Sequence, residues 1–312
     1  SVITYWNADR SASRPDTAAL TAAYTENGQF FTGLNVDKYF FGENLLLTGK
    51  VGFNDWENTF YGVGGAPPPG YTSDYEEKFT TSGYDFRGGF AWRLARDIYL
   101  GPRWTVESND MEEFEDDGWL PGSGLPGLNG GDVSGPGLLL TIDTRDKTFY
   151  PTRGVMLEAS FDRFDEDFGS DFNYDYFRTD FRIFQSIKPG HIIAGQLELD
   201  YTDGDLPFYS FPDLASRGNM RGLESGKFID NVRFAGQAEY RFPVWRRFGG
   251  VLFASGGNVA PDTDDIFDDF HYAGGFGVRY TVETNQHINV RLDIGFDEDG
   301  EVNVYFTMRE AF

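Results

Sequence analysis

The side chains of this sequence that could do chemistry are mostly carboxylates. One dense run is DTDDIFDDF, residues 262–270, where Asp262, Asp264, Asp265 and Asp268 could offer oxygen ligands to Ca²⁺ or Mg²⁺. The run lacks the central Gly and the terminal Glu of an EF-hand loop, so a solvated acidic loop is the plainer interpretation. A divalent cation at these residues is kept as the one candidate cofactor.

The sequence offers few residues for other kinds of catalysis. The chain has no cysteine, which removes thiol catalysis, disulfides and Cys-based metal sites. The histidines His191, His271 and His287 show no metal-like spacing, and no Gly-x-Ser-x-Gly elbow is present. A hydrolase is therefore the third-ranked interpretation, and we predict that the chain is not an enzyme.

Charge and composition narrow the partners. A net charge of −24 over 312 residues argues against nucleic acid, whose binding proteins carry basic patches. Aromatic residues make up 17% of the chain and glycine is abundant at 39 residues. No run of about 18 apolar residues exists, so no transmembrane helix is predicted. The mixture suits a barrel whose outside faces lipid and whose inside is wet.

The elements that position these side chains read as strands. Apolar residues recur with period 2, the signature of a strand with two unlike faces, in about fourteen runs from Thr17 onward. The predicted bounds include Asn44–Asp55, Ile98–Ser108 and Gly137–Asp146. On the apolar period, Phe234, Tyr240, Phe276, Leu292, Ile294 and Phe306 should face lipid. Leu292→Arg should then be harmful, and Asp293→Asn on the opposite face should be mild.

The connections alternate in length. Long ones are predicted at 56–75, 109–136, 166–171, 203–231 and 260–270, and the tight turns lie between them. The long ones are acidic, with the run Met111–Asp117 as one example, whereas most tight turns carry Lys or Arg. This asymmetry is typical of outer-membrane barrels. It predicts long acidic loops outside, and short turns and the C-terminus in the periplasm. A soluble all-β protein is the alternative.

Three segments together resemble one family: TIDTRDKTFYPTRG at 141–154, RGNMRGLESGKF at 217–228, and the five strands that follow. They are similar to the BamA-type bacterial surface antigen superfamily of outer-membrane assembly and translocation barrels. The resemblance implies sixteen strands and a long loop whose Arg221 and Gly222 tuck into the lumen. The last predicted strand, Val302–Phe312, should face lipid and end on the aromatic Phe312, the C-terminal assembly signal of outer-membrane barrels. The resemblance also implies an inward acid at Glu239 and a periplasmic-turn motif. That motif comprises Asp143, Arg145, Asp146, Pro151 and Gly154.

The sequence also departs from the family pattern. Arg221-Gly222 is flanked by Met220 and Leu223 instead of the usual Val or Ile and Phe or Tyr, and Ser255 stands where the family has an inward Asp. We therefore expect Glu239 to be the main anion for Arg221, with Ser255 at most a minor hydrogen-bond partner.

These observations predict one transmembrane, antiparallel, up-and-down β-barrel domain of 14–16 strands over residues 1–312. Upstream strands and a signal peptide are candidates for missing sequence, and residues 1–6 would end an earlier strand. The chain resembles the barrel-only branch, without POTRA domains. The leading function is assembly, insertion or translocation of outer-membrane client proteins, in contact with outer-membrane lipids. A passive or plugged pore, or a structural surface barrel, is the alternative.

Overall fold

The computed structural model describes residues 2–6, 14–26, 28–115, 117–285 and 287–312, with residues 2–6 and 217 described by their backbone alone. The regular structure in this part of the chain is β, apart from short 3₁₀ turns at Leu120–Gly122, Glu166–Phe168, Phe208–Ser210 and Ser216–Gly218. No helix within it is long and apolar enough to cross a membrane. The strands are β1 (Val2–Trp6), β2 (Asp16–Tyr24), β3 (Phe30–Phe40), β4 (Leu45–Phe60), β5 (Glu77–Ala95), β6 (Ile98–Phe114), β7 (Gly131–Asp143), β8 (Arg153–Phe164), β9 (Asn173–Lys188), β10 (His191–Asp205), β11 (Val232–Trp245), β12 (Phe248–Ala260), β13 (His271–Glu283), β14 (Ile288–Asp297) and β15 (Val302–Met308).

These strands form one sheet in sequence order, β1 to β15. The ladders from β1 to β6 and from β11 to β15 are antiparallel. Each of the fourteen predicted strands corresponds to one of β2–β15, and β1 falls where the end of an earlier strand was predicted. The all-β, up-and-down fold class is thus confirmed.

The two faces of the strands differ as the period predicts. In β14, Asn289 and Asp293 are buried, whereas Leu292 and Phe296 are exposed. In β6, Tyr99 and Thr105 are buried while Trp104 is exposed. Exposed large apolar side chains alternating with buried polar ones indicate an apolar outer face and a polar inner face. Phe276, Leu292 and Phe306 are exposed, and Phe234, Tyr240 and Ile294 are partly exposed, all on the outer face.

The chain divides into two compact units. The first unit comprises Ser1–Thr141, Ala159–Phe177 and Tyr201–Phe211, and the second comprises Ile142–Glu158, Arg178–Asp200 and Pro212–Phe312. The first contains an apolar cluster of Val133, Phe164, Tyr174 and Leu206. The second contains one of Leu214, Met220, Leu223, Phe228, Ala235 and Val259.

Several predicted strand ends were wrong. β4 continues to Phe60, paired with Glu77, and β6 continues to Phe114, paired with Phe79. The acidic run from Met111 is thus partly strand instead of loop, with a bulge at Glu112. Charged residues were taken as loop signals, but a neighbouring strand satisfies the backbone of such residues as well as that of any others.

Candidate functional site: the loop and its arginine network

The long connection between β10 and β11 is folded back on itself over residues 212–231. Asp213 pairs with Ile229 in an isolated bridge, and the Leu214 amide donates to the carbonyl of Phe228 at 2.9 Å. The Asp213 carboxylate also accepts from the Ser225 hydroxyl and, at 3.0 Å, from the Ala215 amide. These closures make the segment a compact loop with its own packing, not a loose linker.

The residues flanking the Arg-Gly pair anchor the loop. Met220 and Leu223 are buried in the cluster with Leu214 and Phe228, where the inner-face residues Ala235 of β11 and Val259 of β12 join them. An apolar residue on each side of the pair supplies this packing. The departure from the family's flanking types therefore changes the side chains and keeps the apolar character.

Arg221 connects the loop to three strands. Its Nη1 donates to Asp293 Oδ2 of β14 at 2.8 Å, and its Nη2 donates to Gln237 Oε1 of β11 at 3.1 Å and to the Glu239 carboxylate. The guanidinium carbon lies 3.7 Å from the ring centroid of Phe253 in β12. The side chains of Arg221, Glu239 and Asp293 are all fully buried. The Arg221–Glu239 contact expected from the sequence is present, and Asp293 is a second anion that the sequence did not indicate.

Gly222 brings the loop against the last two strands. Its amide donates to the Tyr305 hydroxyl of β15 at 3.0 Å, and its carbonyl accepts from Asn303 Nδ2 at 2.9 Å. Its φ is +120°, and a Cβ there would lie 2.7 Å from the backbone of Phe296. On the other side, a Cβ at Gly295 would lie 2.5 Å from the carbonyl oxygen of Arg221. Glycine at both positions is what allows this backbone-to-backbone approach.

Further ion pairs on the inner face of the strands extend the Arg221 network away from the loop. Arg241 Nε donates to Glu239 at 2.8 Å, Arg279 contacts Asp293, and Arg279 Nε donates to Glu310 at 2.8 Å. Removing one partner of a buried ion pair typically costs about 3–5 kcal/mol, because it leaves a charge unpaired in a poorly hydrated site. The network therefore makes the loop position depend on a specific charge arrangement.

A second group of charged residues contacts the loop at Asn219. Arg233 donates to Asp200 at 2.6 Å and to Glu198 at 2.9 Å, and Asn219 of the loop donates to Glu198. The sequence analysis did not single out Asn219, Glu198 or Asp200. Their inward period identifies the two acids as inner-face residues, but no short-range signal points to Asn219.

Phe312 is placed differently from expectation, whereas Ser255 agrees with a minor role. Ser255 is buried and its hydroxyl donates to the carbonyl of Ala273 on the neighbouring strand at 3.3 Å. Phe312 was expected to end a lipid-facing strand, but β15 ends at Met308 and the Phe312 ring is buried against Phe184 and Ala194. The lipid-facing placement of Phe312 was wrong, because the chain leaves the ladder before its end. Its role as an assembly signal stays a prediction.

The predicted periplasmic-turn motif holds a turn together through its carboxylates. Arg145 donates from Nε and Nη2 to Asp143, both at 2.9 Å, and Asp146 accepts from the Thr152 amide at 2.8 Å and hydroxyl at 2.6 Å. Burial opposes ionisation of Asp146, but the hydrogen bonds from Thr152 outweigh it and hold the pKa of this carboxyl below its usual range. Pro151, also in the motif, is buried.

Gly154 completes this turn. Its φ is +105°, and a Cβ there would lie 2.5 Å from the carbonyl oxygen of Thr144. Only glycine fits this position without strain.

The candidate cation ligands stay apart. Asp262, Asp264, Asp265 and Asp268 are exposed, and no group of three or more His, Cys, Asp or Glu side chains suited to a metal forms among the described residues. Asp262 Oδ1 instead accepts from the Asp264 amide at 2.9 Å. A cation at this loop stays a prediction.

An up-and-down sheet with an apolar outer face and a charged inner face is typical of an outer-membrane barrel. A model of the Omp85 superfamily domain matches residues 14–312, and the chain belongs to this superfamily. It is a β-barrel of the outer-membrane assembly or translocation type.

Solved structures with the same fold agree. BamA from Haemophilus ducreyi lacking POTRA domains 1-3 is similar with a TM-score of 0.63 and 12% identity, over 99% of this chain and 68% of that one. CdiB from Escherichia coli is similar with a TM-score of 0.60 and 12% identity, over 99% of this chain and 61% of that one. No curated protein matches the sequence. At such low identity the structural likeness shows the fold alone.

Proposed function

We propose that the chain is a membrane-embedded assembly, insertion or translocation factor for outer-membrane client proteins. The observation that carries this proposal is the position of the Arg221-Gly222 segment on the inner face of the sheet. It contacts β11, β12, β14 and β15 through Glu239, Phe253, Asp293 and Tyr305. A loop held by one buried charge cluster is a device that can brace the end of the sheet and release it when that cluster is disturbed.

The short pairing of the last strand supports a seam that opens. β15 has seven residues and pairs with β14 over only seven positions. Because each ladder position contributes hydrogen bonds, such a strand separates from the sheet at lower cost than long central ones. In this mechanism a client strand pairs at the exposed edge while the loop keeps the remaining strands in place.

We place the long acidic loops outside the cell and the short turns and C-terminus in the periplasm, from the asymmetry of the connections. The superfamily assignment favours assembly or transport over catalysis. A plugged or passive barrel is the alternative, favoured by the buried charges and the apolar cluster that the loop places on the inner face.

Client insertion into lipid vesicles separates the two functions. Vesicles holding the parent should accelerate insertion of an unfolded outer-membrane barrel protein over empty vesicles, and Arg221→Ala should lose most of that acceleration. Lys50→Ala, on a partly exposed pair, is the matched control and should keep it. Ion conductance without any acceleration by the folded parent would establish the passive pore instead.

The loop position has its own test, in a chain without native cysteine. Leu223 is buried and Glu224 beside it is exposed. A cysteine at 223 should resist a bulky thiol reagent and become reactive with Glu239→Ala, whereas a cysteine at 224 should react in both backgrounds. Position 222 cannot serve, because a Cβ there meets the backbone of Phe296. Full labelling of Leu223→Cys in the parent background would mean that the loop does not sit on the inner face.

A further inference from the structure

An arginine-lined cavity of about 120 Å³ lies beside the tight turn between β11 and β12, apart from the loop seat. Four arginines line it, together with Tyr150, His287 and a single acid: Arg241, Arg246, Arg247, Arg279 and Glu310. Such a concentration of positive charge contrasts with a chain whose net charge is −24.

Two of these arginines have unused donors. Arg241 places Nε on Glu239 and Nη2 on the carbonyl oxygen of Phe312, and Arg279 places Nε on Glu310 and Nη1 on Asp293. Within the part of the chain that the structure describes, Arg241 Nη1 and Arg279 Nη2 are buried with no hydrogen-bond partner. A buried donor without an acceptor is costly, so these nitrogens call for an anion in the cavity that both side chains line.

Two further arginines stand at the mouth of the cavity. Arg246 and Arg247 are both exposed. The buried arginines behind them, Arg241 and Arg279, are paired with Glu239, Asp293 and Glu310. The positive charge at the mouth therefore comes from the turn.

Tyr150 and His287 add neutral groups suited to an anion. Their rings stack with centroids 3.9 Å apart. Burial raises the pKa of the Tyr150 hydroxyl to about 12, so the phenol stays protonated near neutral pH and can donate a hydrogen bond. Burial also lowers the pKa of His287, which keeps its imidazole neutral with one N–H donor.

An apolar groove lies on the outer face of the same strands. It has a volume of about 440 Å³ and is lined by side chains such as Val244, Trp245, Leu252 and Phe276. Five residues line both the groove and the arginine-lined cavity: Phe242, Phe248, Gly249, Gly250 and Val251. A charged cavity and an apolar groove meeting at one turn fit an amphiphile with an anionic head and a hydrocarbon tail.

We propose that this turn binds an anionic phospholipid. The phosphate sits between Arg241, Arg279 and the turn arginines, and an acyl chain lies in the groove along Trp245. Guanidinium groups suit a phosphate because their planar donors can bind two of its oxygens at once. The lipid belongs to the leaflet that meets the short turns.

The test uses the full chain in nanodiscs and detergent, with native mass spectrometry to count bound lipid and thermal melting to report stabilisation. Phosphatidylglycerol should bind about tenfold more tightly than phosphatidylcholine. The double variant Arg246→Gln/Arg247→Gln should lose that preference while keeping the fold, because both side chains are exposed. Arg96→Gln is the matched control, since Arg96 is an exposed arginine on another tight turn, and it should bind as the parent does.

Two further probes identify the source of the phosphate. Soluble glycerophosphoglycerol should compete only weakly, because it lacks the acyl chain. Stabilisation by inorganic phosphate as strong as that by phosphatidylglycerol would mean a free-anion site and overturn the lipid assignment. Equal binding of the two lipids, or an equal loss in Arg96→Gln, would overturn the site itself.

Discussion

The two units of the chain fasten their long connections in different ways. In the first unit the connection after β6 packs by a ring contact: Trp119 stacks on Phe60 of β4 at 6.0 Å between centroids, and Phe60 also packs on Phe208, which belongs to the first unit. In the second unit the loop after β10 is held by Arg221 and its buried acids. Ring packing tolerates small changes, whereas a buried ion pair fails when either partner is lost. The connection in the second unit is therefore the one more sensitive to the loss of a single side chain.

The ion pairs show the same contrast. In the first unit, the side chains of Lys50 and Asp85 are 47% and 29% exposed, whereas those of Arg221 and Glu239 are 0% exposed. Exposed pairs are screened by water and contribute about 0–1 kcal/mol. Burial, more than the number of pairs, should decide which charges hold the fold.

The largest effect is expected for the anions of Arg221. Glu239→Ala and Asp293→Ala should each lower the free energy of unfolding by about 3–5 kcal/mol, because each leaves a buried guanidinium short of a carboxylate. The double variant should lose clearly less than the sum, since both act on Arg221. Denaturant unfolding in lipid measures all three, and Glu224→Ala on the exposed part of the loop is the control. Additive losses would mean that the two acids act separately.

This environment also corrects one expectation from the sequence. Asp293→Asn was expected to be mild, but Asp293 accepts from Arg221 and contacts Arg279 and Arg291. Replacing its charge leaves three guanidinium groups competing for one neutral oxygen. We therefore expect Asp293→Asn to approach the alanine variant in cost.

The next effect concerns the outer faces, where the two units should behave alike. Leu292 in the second unit and Val51 in the first are both exposed apolar residues. Arginine at either position should cost about 2–4 kcal/mol if the site lies at mid-membrane, and less near the interface. Folding yield into lipid vesicles measures this, with Leu292→Ala and Val51→Ala as matched controls. Tolerance of arginine at one site and not the other would break the common membrane placement.

A smaller effect is expected at the turn between β7 and β8. Asp146→Asn should remove about 0.5–1 kcal/mol, because a charged acceptor makes stronger hydrogen bonds than a neutral one, but water screens this exposed carboxylate. The pKa of Asp146 is lowered in the folded protein, so its contribution is present above the unfolded pKa of about 3.9 and is lost as pH falls through the lower folded value. Melting curves between pH 6 and about pH 3 should be flatter for the variant. An identical slope in parent and variant would exclude this contribution.

The sequence predicted those features that depend on neighbouring residues and missed those that depend on contacts between distant residues. Period 2 located β2–β15 because side-chain alternation is local, and it placed Glu239 and Leu292 on the correct faces. It could not pair Arg221 with Asp293, because that contact joins residues 72 apart and depends on how the loop folds. The inward turn of Phe312 was missed for a related reason: strand parity says nothing about a chain that has left the ladder after Met308.

The smallest effect tests whether burial or position in the chain makes a pair matter. Lys50→Ala should change the free energy of unfolding by about 0–1 kcal/mol, because its pair with Asp85 is partly exposed. Arg103→Ala lies in the same unit, but its partner Asp162 and its own side chain are nearly fully buried. If burial decides, Arg103→Ala should cost about 3–5 kcal/mol, as in the second unit. Denaturant unfolding of both variants at low and high salt separates the cases, since salt weakens the exposed pair and leaves the buried one nearly unchanged. Similar small losses for both variants would mean that the first unit holds its strands by ring packing and ladders alone, and that its charges only line a wet wall.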